Sequence, residues 1–353
     1  MTTLLKINMF SSADKVKGQG VGSAYNELIK MLRKRFINEF DISINKYSKS
    51  DVSHYHTVDL PFYFSTFFRK SRGRLVGYVH FVPATLEGSL AIFPPFLKIF
   101  NWYLIKFYKR MDELVVVNPA FIDELVKIGI DRGKVTYIPN FVSSEVFYEA
   151  KPIEKQEWRK SLGFTDTDFI VMGAGQIQKR KGLDDFIKLA KNKPECQFIW
   201  VGGFSFGKMT DGYDEYKAVY QNPPKNLLFT GIIDREEMCQ YYNIVDVFLL
   251  PSYNELFPMC ILEAFNCGTP VMLRDLELYH AIIKDDYLSC KDYEDMTKCI
   301  DNLMNDQSLL KKYKSKSKTA ADFYSEDRVS ELWLDFYNQA ATENLAEISG
   351  LNK

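Results

Sequence analysis

PSYNELFPMCILEAFNCGTPVM, residues 251–272, is the stretch that decides the fold. It reads as a strand end, a loop, a helix and the start of another strand. Pro258 suits a first helical turn, where its missing N–H costs nothing, and Gly268 suits the position just past a helix end. Inside the helix Met259, Cys260, Ile261, Leu262, Ala264 and Phe265 put apolar groups on every face, so the helix should be buried.

The same rhythm extends in both directions. Upstream, the short apolar runs LLKINMF (4–10), FDISIN (40–45), VSHYH (52–56), LVGYVH (75–80), ELVVVN (113–118) and KVTYIPN (134–140) alternate with helical patterns at 25–36 and 120–129. The alternation stops across 141–165, a stretch of charged and turn residues. It restarts with FIVMGAG (169–175), FIWVGG (198–203), NLLFTG (226–231), DVFLLP (246–251) and PVML (270–273). Helices are expected at 182–192, 234–242, 258–267, 292–304, 306–321 and 326–341. This βαβ order predicts an α/β protein with two doubly wound parallel units, 1–150 and 151–325, and a ligand cleft between them at strand C-termini. The helix over about 326–345 is expected to pack back on the first unit.

A chain of 353 residues has room for two such domains. Net charge is −1, yet residues 1–150 carry 20 Lys+Arg against 14 Asp+Glu and the remainder 25 against 32. Two surfaces with different partners follow from that split. No apolar run reaches the ~18 residues of a membrane span, and the N-terminus shows no signal-peptide pattern, so a cytoplasmic protein is expected. All six cysteines lie in the C-terminal half without a C-x-x-C pair, which reads as buried thiols rather than zinc or disulfides.

Glu263 is the only charge in the 258–267 helix, and a buried carboxylate must be paired or hydrogen-bonded. Ligand hydroxyls or a local Arg or Lys would both serve. Glu255 precedes the helix, where it either caps it or joins its unpaired amides in holding sugar hydroxyls or phosphate oxygens. A second candidate is GAGQIQKRKGLDDF (173–186): strand end, glycine turn, basic cluster, helix start. Such a turn suits pyrophosphate, with Lys179, Arg180 and Lys181 offsetting its charge.

Together these residues resemble the family 4 retaining glycosyltransferases. Glu255, seven intervening residues and Glu263, then Ala264, Gly268, Thr269 and Pro270, match that family's E-x7-E element after a strand ending in Pro251-Ser252. The resemblance covers nearly the whole chain. It implies a GT-B fold, two Rossmann-like domains facing a central cleft, and transfer of glucose or galactose from a UDP-sugar. It implies that Glu255 approaches the transferred hexose and Glu263 bonds the ribose, while Phe257, Pro258, Met259 and Cys260 present main-chain amides to the sugar. Lys181 and Gly182 match the family's G-R-x-x-x-x-K-G element, but Gln176 stands where Arg is usual. Lys181 is then the phosphate ligand, Gln176 a neutral donor and Arg180 a compensating charge. Gly231 and Ile232 fall where the base meets main chain, although a purely structural reading of them is equally open. A histidine at the place of His80 contributes to the family's sugar pocket. Retention is implied to rest on Lys181, Arg180 and the helix start near Pro258, which stabilise the leaving diphosphate.

KGQGVGSAY (17–25) reads Gly18-x-Gly20-x-Gly22, and the following strand lacks the terminal acid that a dinucleotide ribose requires. That argues against a dehydrogenase. By resemblance this loop faces the cleft, with Gly20, Val21 and Gly22 near the donor phosphates or the acceptor. His54 and His56 read as core and structural residues, and His280 has no assigned role. No Ser-His-Asp set, metal-ligand cluster or D-x-D motif is present, so neither a metal nor another cofactor is expected.

Residues 61–110 hold 8 Lys+Arg against one acid, Glu87, together with 14 aromatics. In PFLKIFNWYLIKFYKR (95–110), Phe96, Phe100, Leu104 and Phe107 form a stripe expected to face the core. Lys98, Trp102, Ile105 and Lys109 form a second, expected to meet an anionic membrane surface. The alternative is an aromatic core with a solvated basic rim. Nucleic acid is not expected, because no binding module accompanies the charge. GQGVGSAY (19–26), GYVHFVPATLEGSL (77–90) and VVVNPAF (115–121) resemble the branch that glycosylates diacylglycerol lipids, such as a monoglucosyl-diacylglycerol acceptor, from the inner membrane face. Two other readings stand beside it: a cytoplasmic transferase for polysaccharide or small molecules, and a module that holds a sugar nucleotide without turnover.

Overall fold

Short strands that are buried along most of their length mark parallel sheets covered on both faces. The computed structural model describes residues 4–13, 20–83, 94–204, 207, 210, 212–255 and 257–349. It divides the chain into two compact units, Met1–Phe141 with Glu326–Lys353, and Val142–Ser325. The first holds β1 (Leu5–Phe10), β2 (Phe40–Ile44), β3 (Val52–Tyr55), β4 (Arg74–Val79), β5 (Glu113–Val116) and β6 (Val135–Tyr137). Their order is β2-β1-β3-β4-β5-β6, every pair parallel.

The second unit holds β7 (Phe169–Ala174), β8 (Cys196–Val201), β9 (Leu227–Gly231), β10 (Val247–Leu250), β11 (Val271–Arg274) and β12 (Leu288–Cys290). Their order is β12-β11-β10-β7-β8-β9, again parallel. Strand order therefore reverses between β1 and β3 in one unit and between β7 and β10 in the other. At such a switch point, neighbouring connections leave in opposite directions and open a crevice beyond the strand C-termini. Gly173 shows how tightly the second sheet is covered: a Cβ there would lie 2.6 Å from the ring of Trp200.

A helix not anticipated from sequence, Pro152–Ser161, occupies the stretch read as irregular. It buries no residue, so it shows no apolar stripe; Pro152 starts it and the Lys151 amide donates to the Glu154 carboxylate at 2.9 Å. Gly20, Val21 and Gly22 are the first residues of the Gly20–Arg35 helix rather than part of a loop. A Cβ at Gly22 would lie 2.9 Å from the Ala13 carbonyl oxygen, so the helix start needs glycine there. Gly18 and the segment containing Glu87 lie outside the described residues.

The Glu326–Ser349 helix belongs to the first unit. Its Trp333 and Tyr337 are buried and stack at 5.4 Å, and the Tyr337 hydroxyl meets His54 Nδ1 at 2.7 Å. The Arg35–Glu326 and Arg74–Glu343 ion pairs flank that contact.

In the Pro94–Lys109 helix, Leu104 and Phe107 are buried as expected, but Phe96 is 65 % exposed. The inward face is set by the residues that reach Tyr63, Phe81 and the sheet, namely Phe100, Tyr103, Leu104, Phe107 and Tyr108. Phe96 lies one turn before them. The outward face carries Phe96, Lys98, Ile99, Trp102, Lys106 and Lys109, while Ile105 is half-buried. Beside it, the Leu60–Ser65 helix and the turn after it expose Leu60, Phe64, Phe67 and Phe68. No helix among the described residues is long and apolar enough to cross a membrane.

Candidate active site

The switch point of the second unit brings together the two segments singled out in the sequence. After β7 the chain turns through Gly175, whose amide donates to the Val201 carbonyl at 2.9 Å. It then forms a single 3-10 turn, Lys179–Lys181, that ends at Gly182 with φ +69°. A Cβ at Gly182 would stand 2.1 Å from the Pro251 carbonyl oxygen, so only glycine lets this turn close on the end of β10. The Tyr253 amide donates to the Arg180 carbonyl at 2.9 Å, and the Arg180 guanidinium donates to the Asn254 carbonyl at 2.7 Å.

That stitching places Lys181 Nζ 2.5 Å from Glu255 Oε1, with Arg180 Nη1 3.8 Å from Glu255 Oε2. Glu255 is only 8 % exposed. A carboxylate this deeply buried requires such partners, and the pair joins the segments that follow β7 and β10, the strands between which the order reverses. Glu255 is not the cap of this helix, because the N-cap position is Pro258 and no side-chain cap hydrogen bond is made there.

Glu263 lies in the Met259–Asn266 helix and is 7 % exposed. Its Oε2 accepts from the Tyr242 hydroxyl at 2.9 Å, and its Oε1 lies 3.3 Å from Arg235 Nη2. A local arginine is thus one of its partners, as the sequence had left open. Burial, then the Glu263 carboxylate, holds the Tyr242 phenol well above its usual range. Phe257 is buried against Tyr324 at 5.3 Å, and Met259 is buried at the helix start. Burial pushes the Cys260 thiol up, so it stays protonated. Gln176 accepts from Gln178 Nε2 at 2.8 Å. At the end of β9, the Gly231 carbonyl accepts from the Gly202 amide at 3.0 Å, and Ile232 is exposed.

Sequence reading missed the scaffold beneath this site. Arg274, at the end of β11, donates to the Pro251 carbonyl at 2.9 Å, ion-pairs with Asp185, and stacks 4.1 Å from the Tyr253 ring. Tyr253 donates to Asp185 at 2.9 Å. The signal was an arginine closing the apolar run PVML, an odd residue for a strand buried on both faces.

In the first unit, His80 follows β4 and is buried rather than open to solvent. Burial lowers its pKa to about 4, and that of His54 to about 3. His56 lies between them, ring centroids 4.1 Å from His54 and 6.2 Å from His80, and is held well below the ordinary range by burial. His80 Nε2 has no hydrogen-bond partner among the described residues. Among those residues no group of three or more His, Cys, Asp or Glu is arranged to hold a metal.

Two parallel sheets, each with its own switch point, and a buried cation–carboxylate pair at one of them describe a class of sugar-transferring enzymes. Residues 154–320 match the family described as glycosyl transferases group 1, and residues 18–146 match glycosyltransferase family 4. The chain belongs to these glycosyltransferases and has the GT-B fold.

Within them it is 52 % identical, over 96 % of its length and 90 % of the relative's, to the alpha-galactosylglucosyldiacylglycerol synthase of Streptococcus pneumoniae. It is 25 % identical to the processive diacylglycerol alpha-glucosyltransferase of Acholeplasma laidlawii, over 78 % of this chain and 80 % of that one. Among solved structures, the Anabaena protein HepE in complex with UDP and glucose aligns with a TM-score of 0.75 at 15 % identity, over 95 % of this chain and 99 % of that one.

Proposed function

We propose that this glycosyltransferase moves a hexose, with retention, from UDP-glucose or UDP-galactose onto a membrane glycolipid such as monoglucosyl-diacylglycerol. The observation that carries the reading is the buried Lys181–Glu255 pair at the β7–β10 switch point, in a chain half-identical to a diacylglycerol glycolipid synthase. When the donor's C1–O bond breaks, negative charge collects on the departing diphosphate. Lys181, Arg180 and the Met259 and Cys260 amides at the helix start that follows Pro258 are the groups that stabilise it there. The acceptor hydroxyl oxygen forms the new bond to C1 on the face the diphosphate leaves, and its proton passes to the departing phosphate oxygen.

Glu255 serves the transferred hexose, Glu263 the ribose, Gln176 the phosphates as a neutral donor, and Gly231 and Ile232 the base. His80, neutral at physiological pH because burial lowers its pKa to about 4, offers its unpartnered nitrogen to the sugar. Gly20, Val21 and Gly22 form the helix start offered to phosphates or acceptor.

The acceptor's setting is an anionic bilayer. Phe96, Ile99 and Trp102 are exposed on one helix, and Leu60, Phe64, Phe67 and Phe68 on the helix and turn that pack on it through Tyr63 and Tyr103. Lys70, Lys98, Lys106 and Lys109 are exposed on the same elements or directly after them. Apolar groups enter the lipid boundary while the cations meet headgroups, which is the chemistry of a peripheral protein. Purified protein, given each UDP-hexose and vesicles of monoglucosyl-diacylglycerol in anionic lipid, should yield a dihexosyl lipid by mass. Absence of lipid product with both donors overturns the reading.

A further inference from the structure

Lys181 and Glu255 meet across two chain segments, and a side chain outside both of them ties those segments together. Arg274 closes β11 and is buried. Its guanidinium Nε donates to the Pro251 carbonyl at 2.9 Å, on the segment that leaves β10. Nη2 pairs with Asp185 in the Leu183–Asn192 helix, which follows the Lys179–Lys181 turn. Nη1 donates to the Lys291 carbonyl at 3.4 Å, just past β12. The guanidinium also lies 4.1 Å from the centre of the Tyr253 ring, and the Tyr253 hydroxyl donates at 2.9 Å to the same Asp185 oxygen that Arg274 holds. Such a set needs several donors fixed in one plane, which a guanidinium has and an ammonium lacks.

Two other side chains join the same segments. Lys181 contacts Glu255, and Arg180 donates to the Asn254 carbonyl at 2.7 Å. Both are the cations that a diphosphate attracts, and neither keeps its full interaction with the protein while it neutralises a ligand. Their links between the segments therefore loosen when the donor binds, at the moment Glu255 is needed at the hexose. The Arg274 links run through Pro251, Asp185 and Tyr253 instead, and are independent of where Lys181 and Arg180 point.

We propose that Arg274 is a positioning residue for hexose transfer: it braces the 251–255 segment against the 179–185 turn, so that Glu255 stays aimed at the hexose after Lys181 has turned to the diphosphate. This rests on the reading above, in which Glu255 serves the hexose and Lys181 the phosphates. Arg274 acts through Pro251, Tyr253 and Asp185, with no contact of its own to the donor. A reacting group displaced by about 1 Å can lose about a hundredfold in rate, so a brace of this kind matters to turnover and not only to the fold.

The test is Arg274→Lys in the full chain, which keeps a cation opposite Asp185 and loses the fork. With UDP-glucose and UDP-galactose over monoglucosyl-diacylglycerol vesicles, below the melting temperature, kcat should fall on the order of tenfold to a hundredfold. Calorimetric UDP affinity should stay within about threefold, because the loss falls on the reacting geometry. Arg159→Lys is the matched control. Arg159 likewise donates to a carbonyl, that of Ile244 at 2.7 Å, and pairs with Asp246 at 3.0 Å, but Asp246 precedes β10, at the strand ends away from the site. It should lower the melting temperature and leave kcat at the parent's value. Tyr253→Phe removes one hydroxyl from a half-exposed ring and should lower kcat about three- to tenfold with little change in melting. If folded Arg274→Lys turns over like Arg159→Lys, its role is structural and the proposal is overturned. If Arg274→Lys does not fold, Tyr253→Phe decides, and parent-like kcat there overturns it. Glu255→Ala separates the two levels: should it keep its kcat, the reading of Glu255 is wrong, and should it collapse while Arg274→Lys and Tyr253→Phe turn over like the parent, only the brace is wrong.

Discussion

Tyr242 and Arg235 both hold Glu263, so removing it perturbs the fold and the nucleotide site by separable amounts. In Glu263→Ala the buried Tyr242 hydroxyl loses its acceptor at 2.9 Å. An unpaired buried hydroxyl costs about 1–3 kcal/mol. Arg235 loses its partner at 3.3 Å, but its side chain is 25 % exposed and its guanidinium lies 5.0 Å from the Phe147 ring. Water can take up much of that loss, leaving about 0–1 kcal/mol. The total is roughly 1–4 kcal/mol, which for a unit of this size lowers the melting temperature by about 2–16 °C. Glu263→Gln keeps a carbonyl oxygen for Tyr242 and should stay within about 1 kcal/mol of the parent. Nucleotide binding should order the variants differently. A charge-assisted bond to the ribose is worth about 1.5–3 kcal/mol, so Glu263→Ala should raise the UDP Kd about ten- to a hundredfold, with Glu263→Gln between it and the parent. Titration calorimetry at 15 °C, beside a thermal melt, reads both quantities on folded protein. Unchanged UDP affinity in both variants would mean that the carboxylate serves the fold and not the nucleotide, and the ribose assignment fails.

Glu255→Ala should leave UDP affinity near normal, since it frees Lys181, while kcat collapses; a variant that keeps most of its kcat excludes Glu255 from the hexose step. Replacing Lys98, Trp102 and Lys109 together should weaken binding to anionic vesicles at least about thirtyfold, at about 1 kcal/mol per lysine before Trp102 is counted. Phe64→Ser with Ile99→Ser should weaken it in neutral vesicles too, and vesicle sedimentation equal to the parent in both variants would remove this face from the membrane. The pKa values of His54, about 3, and His80, about 4, lie below the ordinary 6.5, so the unfolded chain takes up protons that the folded one refuses. Stability is therefore full above pH 6.5 and falls as pH drops toward 4, by about 1.4 kcal/mol per pH unit for each histidine. Circular-dichroism melts between pH 7 and 5 should show it, and a flat profile would mean these rings are not buried neutral.

Strands, the glycine turn and the E-x7-E helix were legible because each is a local pattern: an apolar run, a positive-φ glycine, a helix apolar all round with one acid. The partners of those acids were not. Lys181 reaches Glu255 across 74 residues of sequence and Arg274 reaches Asp185 across 89, and no periodicity encodes such pairs. The Phe96 error has a related cause. Helical spacing aligned it with Phe100, Leu104 and Phe107, but which turn of a helix is covered depends on where the layer beneath it ends. The Pro152–Ser161 helix escaped notice because it buries nothing and so leaves no stripe to read.

The Glu326–Ser349 helix has a consequence for how the chain is made. Tyr337 and Trp333 complete a core whose other walls, His54, Phe40 and Tyr78, are synthesised at the very beginning. Between Phe141 and Glu326 the ribosome must translate an entire second unit. At about 5–20 residues per second that takes roughly 10–40 s. During this delay the first sheet waits with its histidine face uncovered, while the Val142–Ser325 segment, contiguous in sequence, has everything it needs to fold at once. The unit begun first is thus the unit finished last, and for the length of that delay its open aromatic face is a surface for chaperones to shield.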